Sequence, residues 1–303
     1  MDMGTEGSRA ARPFRFGVNL VTPAPDDAWR AKCRRAEEFG YDVILVPDHL
    51  GAPSPFPSLV AAAEATSRPK VGTFVLNCAF WNPVLLAREI TTTVALTGGR
   101  LELGLGTGYV REEFEQAGLE WGTPGSRVDR LEHTVTELDR LLSAPDQGPR
   151  PPLLIGANGD RMLRITAEHA DIAAFTGARA PNGNAGGLEP LTGDELDGRV
   201  AAYRKFAAHR PESAELNLLV QLVAVTDDRP AAVQPLLEHL PHLTQEQVLD
   251  SPLLLVGTVE QITEQLLERR ERFGFSYFTV LEPSMEALAP VIEELRGLEA
   301  SGM

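Results

Sequence analysis

The stretch Arg100-Leu101-Glu102-Leu103-Gly104-Leu105-Gly106-Thr107-Gly108-Tyr109 decides how the rest of the chain is read. Its three leucines alternate with Glu102, Gly104 and Gly106, the period-2 pattern of a short β-strand. The strand runs into Gly106-Thr107-Gly108, where the backbone can turn sharply and present N–H groups to something flat or anionic. A glycine-rich carboxyl end of a strand is where α/β proteins commonly bind ligands. Taken alone it is more often a tight βα turn that binds nothing. Other strand ends in this chain argue for the ligand.

Moving outward, apolar runs and helical patterns alternate along the whole chain. Strands are expected at 14–20, 43–46, 71–76, 101–106, 153–155, 171–175, 216–225 and 277–281. Helices fill the gaps: one opens at Asp26, one covers 57–67, and one is opened by Pro83. A short helix covers 110–117, and a longer one carries Val128, Leu131, Val135, Leu138 and Leu142 on one stripe. Others end at His169 or cover 194–209, 258–273 and 284–298. Eight strands alternating with helices in a chain of this size predict an α/β fold, a single (β/α)8 TIM barrel over 13–303. Glu38-Phe39-Gly40-Tyr41 and Arg272-Phe273-Gly274-Phe275 read as one αβ joint used twice.

A chain of 303 residues has room for a large core, and 43% of it is apolar. Its formal charge of −15 argues against a nucleic-acid or anionic-membrane partner. Two cysteines, Cys33 and Cys78, make no disulfide framework and fit a reducing cytoplasm. Residues 1–12 lack the apolar segment of a signal peptide and read as a disordered leader. No apolar run approaches the roughly 20 residues of a membrane helix. No metal is expected. The glycine- and asparagine-rich stretch 177–193 reads as a mobile loop or lid.

The Leu101–Gly108 pattern is also similar to the nucleotide turn of S-adenosylmethionine methyltransferases. That fold requires a helix and then a strand ending in an acid about 20 residues on. Here helix, turn and helix follow as far as Leu142, so the methyl-donor and dinucleotide readings both fail.

Taken together, the strand ends resemble those of the bacterial-luciferase-like family of flavin and deazaflavin oxidoreductases. The segments that carry the likeness are Val46-Pro47-Asp48-His49, Gly72–Asn77 with Asn82-Pro83, 100–108 and Ile155–Gly159. Leu255-Val256-Gly257-Thr258 and Phe273–Tyr277 extend it, so it covers the chain beyond the leader. Its character is that of the branch using coenzyme F420, with FMN as the alternative cofactor. The resemblance implies a homodimer, consistent with a helix at 83–96 whose Leu85, Leu86, Ile90, Val94 and Leu96 spread too widely for one inward stripe. It also implies a cis peptide bond, Phe74–Val75, forming a ridge behind the cofactor ring.

On this reading Asp48, Phe74, Val75, Asn77, Gly106, Thr107 and Gly108 contact the cofactor. Gly156, Ala157, Asn158 and Gly159 offer it a phosphate turn at a helix start. Asp160 either caps that helix or opposes the anion, and Arg161 and Arg164 could offset it. His49 stands at a strand's carboxyl end, where an imidazole can pass protons near neutral pH, with Asp48 placed to orient it. A turn-capping His49 and an N-capping Asp48 are the bland alternatives. Phe80, Trp81 and Tyr109 could wall a substrate pocket, or simply pack. Relatives that oxidise sugar phosphates carry an acid where this chain has Tyr109, so a less polar small-molecule substrate is expected.

Three activities fit these residues. The first is hydride exchange between deazaflavin C5 and an organic substrate. The second is an FMN-dependent monooxygenase with a partner reductase, and the third is a binding relative without catalysis.

Overall fold

The computed structural model describes residues 12–143, 149–156, 159–179, 189–240 and 242–301. Its strands are β1 (Arg15–Asn19), β2 (Val43–Val46), β3 (Lys70–Thr73), β4 (Leu76–Asn77), β5 (Leu101–Gly106), β6 (Leu153–Gly156) and β7 (Ile172–Phe175). They continue with β8 (Ala178–Arg179), β9 (Glu189–Pro190), β10 (Glu215–Val220), β11 (Leu222–Val225), β12 (Leu254–Gly257) and β13 (Phe275–Leu281). The helices are α1 (Asp26–Glu38), α2 (Pro55–Ala65), α3 (Pro83–Leu96), α4 (Arg111–Gln116), α5 (Pro124–Leu142) and α6 (Asp160–His169). After them come α7 (Gly193–Phe206), α8 (Arg229–His239), α9 (Gln245–Leu249), α10 (Val259–Phe273) and α11 (Met285–Ala300).

The main sheet is parallel, in the order β3-β2-β1-β13-β10-β7-β6-β5-β4, and β3 also pairs with β5. Segments β3 and β4 occupy one position of the ring, so eight strands close a barrel. This is the TIM barrel expected from the alternation.

Strand alternation sorts the side chains into two cores. Phe16, Val18, Ile44, Val46, Leu101, Leu103 and Leu105 point out and join the large cluster under the helices. Val43, Leu45, Leu154, Ile172, Ala174 and Tyr277 form a smaller cluster inside the barrel. In β5, then, the leucines face the helices, while Glu102, Gly104 and Gly106 share the other side. At the amino ends of the strands, Glu102 is buried with Arg15 at 2.5 Å and Lys70 at 3.1 Å, and Arg15 also pairs with Glu215. Charged groups plug the bottom of the barrel.

Gly40 and Gly274 both take a left-handed φ of 85° after α1 and α10. The two matching sequence segments are one structural joint, ending a helix just before a strand.

One expected strand divides. The run 216–225 reads as continuous, yet β10 ends at Val220, and β11 leaves the barrel to pair in parallel with β12. Those two strands have their own small core of Val233, Val248, Leu254 and Val256. No turn residue marks the break at Gln221, because the burial that rewards it comes from α8 and α9 far along the chain.

The expected disordered leader lies outside the described residues, except Arg12, which donates to the Ser213 carbonyl at 2.6 Å. Most of the 177–193 loop also lies outside them. Its ends pair as β8 and β9, and Gly193 is already the first residue of α7. Among the described residues no helix is long and apolar enough to cross a membrane.

Candidate active site

The carboxyl ends of β1, β2, β4, β5 and β6 bring the singled-out residues to one mouth of the barrel. The Phe74–Val75 peptide bond lies between β3 and β4 and is cis. Strand β5 crosses this segment closely: a Cβ on Gly106 would lie 2.5 Å from Val75 Cγ2. The Thr73 hydroxyl accepts from the Gly104 N–H at 2.8 Å and donates to the Gly104 carbonyl at 2.9 Å. The alternating glycines of the opening stretch are thus the condition for this contact.

Asp48 does not orient His49. Its Oδ2 accepts from Trp81 Nε1 at 2.8 Å and from the Asn77 N–H at 3.1 Å. Burial raises the Asp48 carboxyl above its ordinary value, against the opposing pull of those two N–H groups. His49 takes a different carboxylate. Its Nδ1 lies 2.9 Å from Glu113 Oε1, and the same oxygen accepts from the Leu50 N–H at 3.1 Å. On the other side of the ring, Tyr109 Oη lies 3.3 Å from Nε2, with the two rings edge to face at 5.4 Å. Asp48 is thus taken up by Trp81 and the Asn77 backbone, and both ring nitrogens of His49 face side chains, in place of the capping roles the sequence allowed.

Glu113 escaped the sequence reading although a signal was present. Glu113 is an acid in the first turn of the short helix that follows Tyr109, close in sequence to the strand-end residues. Asn19 escaped too. Period 2 from Arg15 through Gly17 places it on the inner face of β1, at the strand's carboxyl end.

Two buried asparagines at this mouth each keep one polar atom without a protein partner. Asn77 Oδ1 accepts from the Ala79 N–H at 3.1 Å, which leaves Nδ2 as an unused donor. Asn19 Nδ2 donates to the Phe74 carbonyl at 3.3 Å, which leaves Oδ1 as an unused acceptor. Buried polar atoms are rarely left so. Gly108 lies against the Asn77 amide, since a Cβ there would meet Oδ1 at 2.6 Å. Thr107 lies between Gly106 and Gly108 at the same strand end.

The aromatic trio separates. Trp81 is tied to Asp48 and packs edge-on against Phe56 at 5.2 Å. Phe80 packs on Phe114 of α4 at 6.0 Å. Only Tyr109 opens to solvent, with 68% of its surface exposed. Val21 and Leu50, at the ends of β1 and β2, are also exposed apolar residues, so the rim is partly greasy.

At the phosphate turn, Ala157 and Asn158 lie outside the described residues. A Cβ added to Gly156 or Gly159 would meet nothing within 4 Å, so space is open beside them. Gly159, not Asp160, is the N-cap of α6, and no side chain caps that end. The first-turn N–H groups of α6 therefore have no intrahelical partner. Asp160 turns to Arg199 at 2.7 Å. Arg161 is held by Asp129 and Glu132, both at 2.6 Å, and Arg164 lies 4.8 Å over the Phe206 ring. Neither arginine offsets an anion here, which leaves backbone N–H groups and the helix dipole to bind one.

A separate cleft of about 620 Å³ on the outer wall, between α1 and α11, is lined by Arg35, Glu38, Glu286, Glu293 and Arg296. It holds none of the strand-end residues.

Residues 12–277 match the family model described as luciferase-like monooxygenase, and the chain belongs to that family. An F420-dependent glucose-6-phosphate dehydrogenase of Microbacterium testaceum is 29% identical over 190 residues, 53% of this chain and 56% of that relative. The chain thus spans little more than half the length of that curated relative. Among solved structures, an F420-dependent secondary alcohol dehydrogenase in complex with an F420-acetone adduct superposes with a TM-score of 0.75 at 15% identity. That match covers 94% of this chain and 100% of the other. A long-chain alkane monooxygenase superposes with a TM-score of 0.72 at 12% identity, over 95% and 92% of the two chains. At these identities the structural likenesses speak for the fold alone.

Proposed function

We propose that the protein is a coenzyme F420-dependent oxidoreductase acting on a small organic substrate of low polarity. The observation that carries the reading is the convergence of a carboxylate-held His49 with the unused Nδ2 of Asn77 and the unused Oδ1 of Asn19 at one barrel mouth. Those atoms suit the polar edge of a flat heterocycle, which brings both donors and acceptors. The open space beside Gly156 and Gly159 suits an anionic tail. When bound, the deazaflavin exchanges a hydride at C5 with the substrate. Gly106, Thr107, Gly108, Phe74 and Val75 would wall the ring, while His49 handles the proton that accompanies the hydride. Tyr109 and the apolar rim favour a less polar substrate than a sugar phosphate.

The FMN-dependent monooxygenase reading draws support from the family model and from the alkane monooxygenase's fold. Titrating purified protein with F420 and with FMN, followed by fluorescence quenching, separates the two. Tight F420 binding with weak FMN binding is expected; the reverse order would replace this reading with the monooxygenase. The reading includes a homodimer joined through the outer face of α3. It also includes a cytoplasmic location, in keeping with the two buried free cysteines.

A further inference from the structure

We propose that Tyr109 is the catalytic residue that exchanges a proton with the substrate, with His49 as the base behind it and Glu113 as the positioning residue. The proposal rests on the oxidoreductase reading and replaces a His49 acting directly and oriented by Asp48.

The argument begins with the two ring nitrogens. Nδ1 faces Glu113 Oε1 at 2.9 Å, and Nε2 faces Tyr109 Oη at 3.3 Å. Neither nitrogen is open, and the outermost atom of the chain is the tyrosine hydroxyl. Glu113 is an acceptor only, already receiving the Leu50 N–H, so a neutral His49 must carry its proton on Nδ1. Nε2 is then a bare lone pair, and the Tyr109 O–H donates to it. An ordinary phenol keeps its proton near neutral pH, and the protein packed against the buried part of Tyr109, and then the Glu113 charge, push it further the same way. Asp48 has no part in this chain, since its Oδ2 is engaged by Trp81 and Asn77.

A substrate hydroxyl meeting Tyr109 Oη loses its proton as follows. The substrate O–H bond breaks with its electron pair kept on the substrate oxygen, and a new bond to Oη forms. The original Oη proton moves to Nε2 in the same exchange, leaving Tyr109 neutral. Positive charge ends on the imidazole ring, facing the Glu113 carboxylate, where opposite charge stabilises it. The reverse sequence delivers a proton to a substrate oxygen. Leu50, exposed and bonded through its N–H to the same Glu113 oxygen, makes this side of the rim suit a substrate that presents one hydroxyl or carbonyl on an otherwise apolar body.

Histidine side-chain ¹⁵N NMR of the purified protein at about pH 8, above the ordinary histidine range, tests the chain of bonds without any substrate. His49→Ala assigns the signals. The expected wild-type result is a protonated Nδ1 and a bare Nε2. Glu113→Gln keeps that tautomer because an amide oxygen still accepts, whereas Glu113→Ala shifts it toward Nε2–H. Tyr109→Phe leaves Nδ1–H in place but moves the Nε2 resonance, and Asp48→Asn moves neither. A wild-type Nε2–H tautomer, or an Nε2 signal unmoved in Tyr109→Phe, overturns the proposal. Failure of both F420 and FMN to bind the wild-type protein would remove the oxidoreductase reading and this role with it. That outcome is distinct from one in which F420 binds and His49 is protonated on Nε2, where the relay fails alone.

Discussion

A Cβ on Gly104 would lie 2.0 Å from the carbonyl oxygen of Thr73, so β5 can pass the third barrel position only without a side chain there. The obstacle is backbone, not the far end of a flexible chain, and the strands are fixed by neighbours on both sides. Gly104→Ala is therefore expected to destabilise the barrel by about 3 kcal/mol, the upper part of the usual overpacking range. Urea denaturation measures it, and a midpoint equal to wild type would show that the strands separate freely.

His49→Ala should lower turnover by about 10²–10⁴-fold with cofactor affinity nearly intact, as expected when a proton-transferring group is removed. Steady-state kinetics paired with F420 titration check both halves. An unchanged kcat would make His49 a structural residue.

Gly159→Asp should weaken cofactor binding, because it adds a negative charge where uncapped N–H groups of α6 are open. Its effect on thermal stability should be small, since the space beside Gly159 is empty. Equal F420 affinity in the variant would put the anionic tail elsewhere.

The Asp48 carboxyl is held above its ordinary value by burial, despite the N–H groups of Trp81 and Asn77. The folded state thus binds this proton more tightly than the unfolded chain. Stability is lost as pH rises from about 4 through the folded value. Asp48→Asn keeps an oxygen for both N–H groups and removes the buried charge. Its melting temperature should match or exceed wild type at pH 7, with the advantage shrinking toward pH 4. An advantage that grows on acidification would contradict the sign.

Helix α3 buries Leu86, Ala87, Ile90 and Thr93 but leaves Val84, Leu85 and Leu96 exposed. Sedimentation at micromolar concentration should find a dimer, and Leu85→Glu should shift it toward monomer by placing charge in the interface. A wild-type protein that sediments as monomer would remove the dimer.

Much of this protein is determined locally. Short apolar or alternating runs marked the eight strands, glycine set the two matching αβ joints, and the strand-end position of His49 marked the mouth, because each rests on the chemistry of a few adjacent residues. The tertiary structure decided which partner each group took. Asp48 and His49 are adjacent in sequence, yet one carboxylate went to Trp81 and Asn77, and the imidazole went to Glu113, 64 residues away. Arg161 and Arg164, which could have faced an anion, were drawn to Asp129, Glu132 and Phe206 on neighbouring helices. The glycines of β5 were visible as glycines, but only the approach of Thr73 and Val75 supplies their reason. The run 216–225 shows the same limit, since its division depends on a small core built by α8, α9 and β12. Hydrogen bonds, ion pairs and packing act over a few ångströms in space, whatever the separation in sequence, so their partners exist only once the barrel has closed.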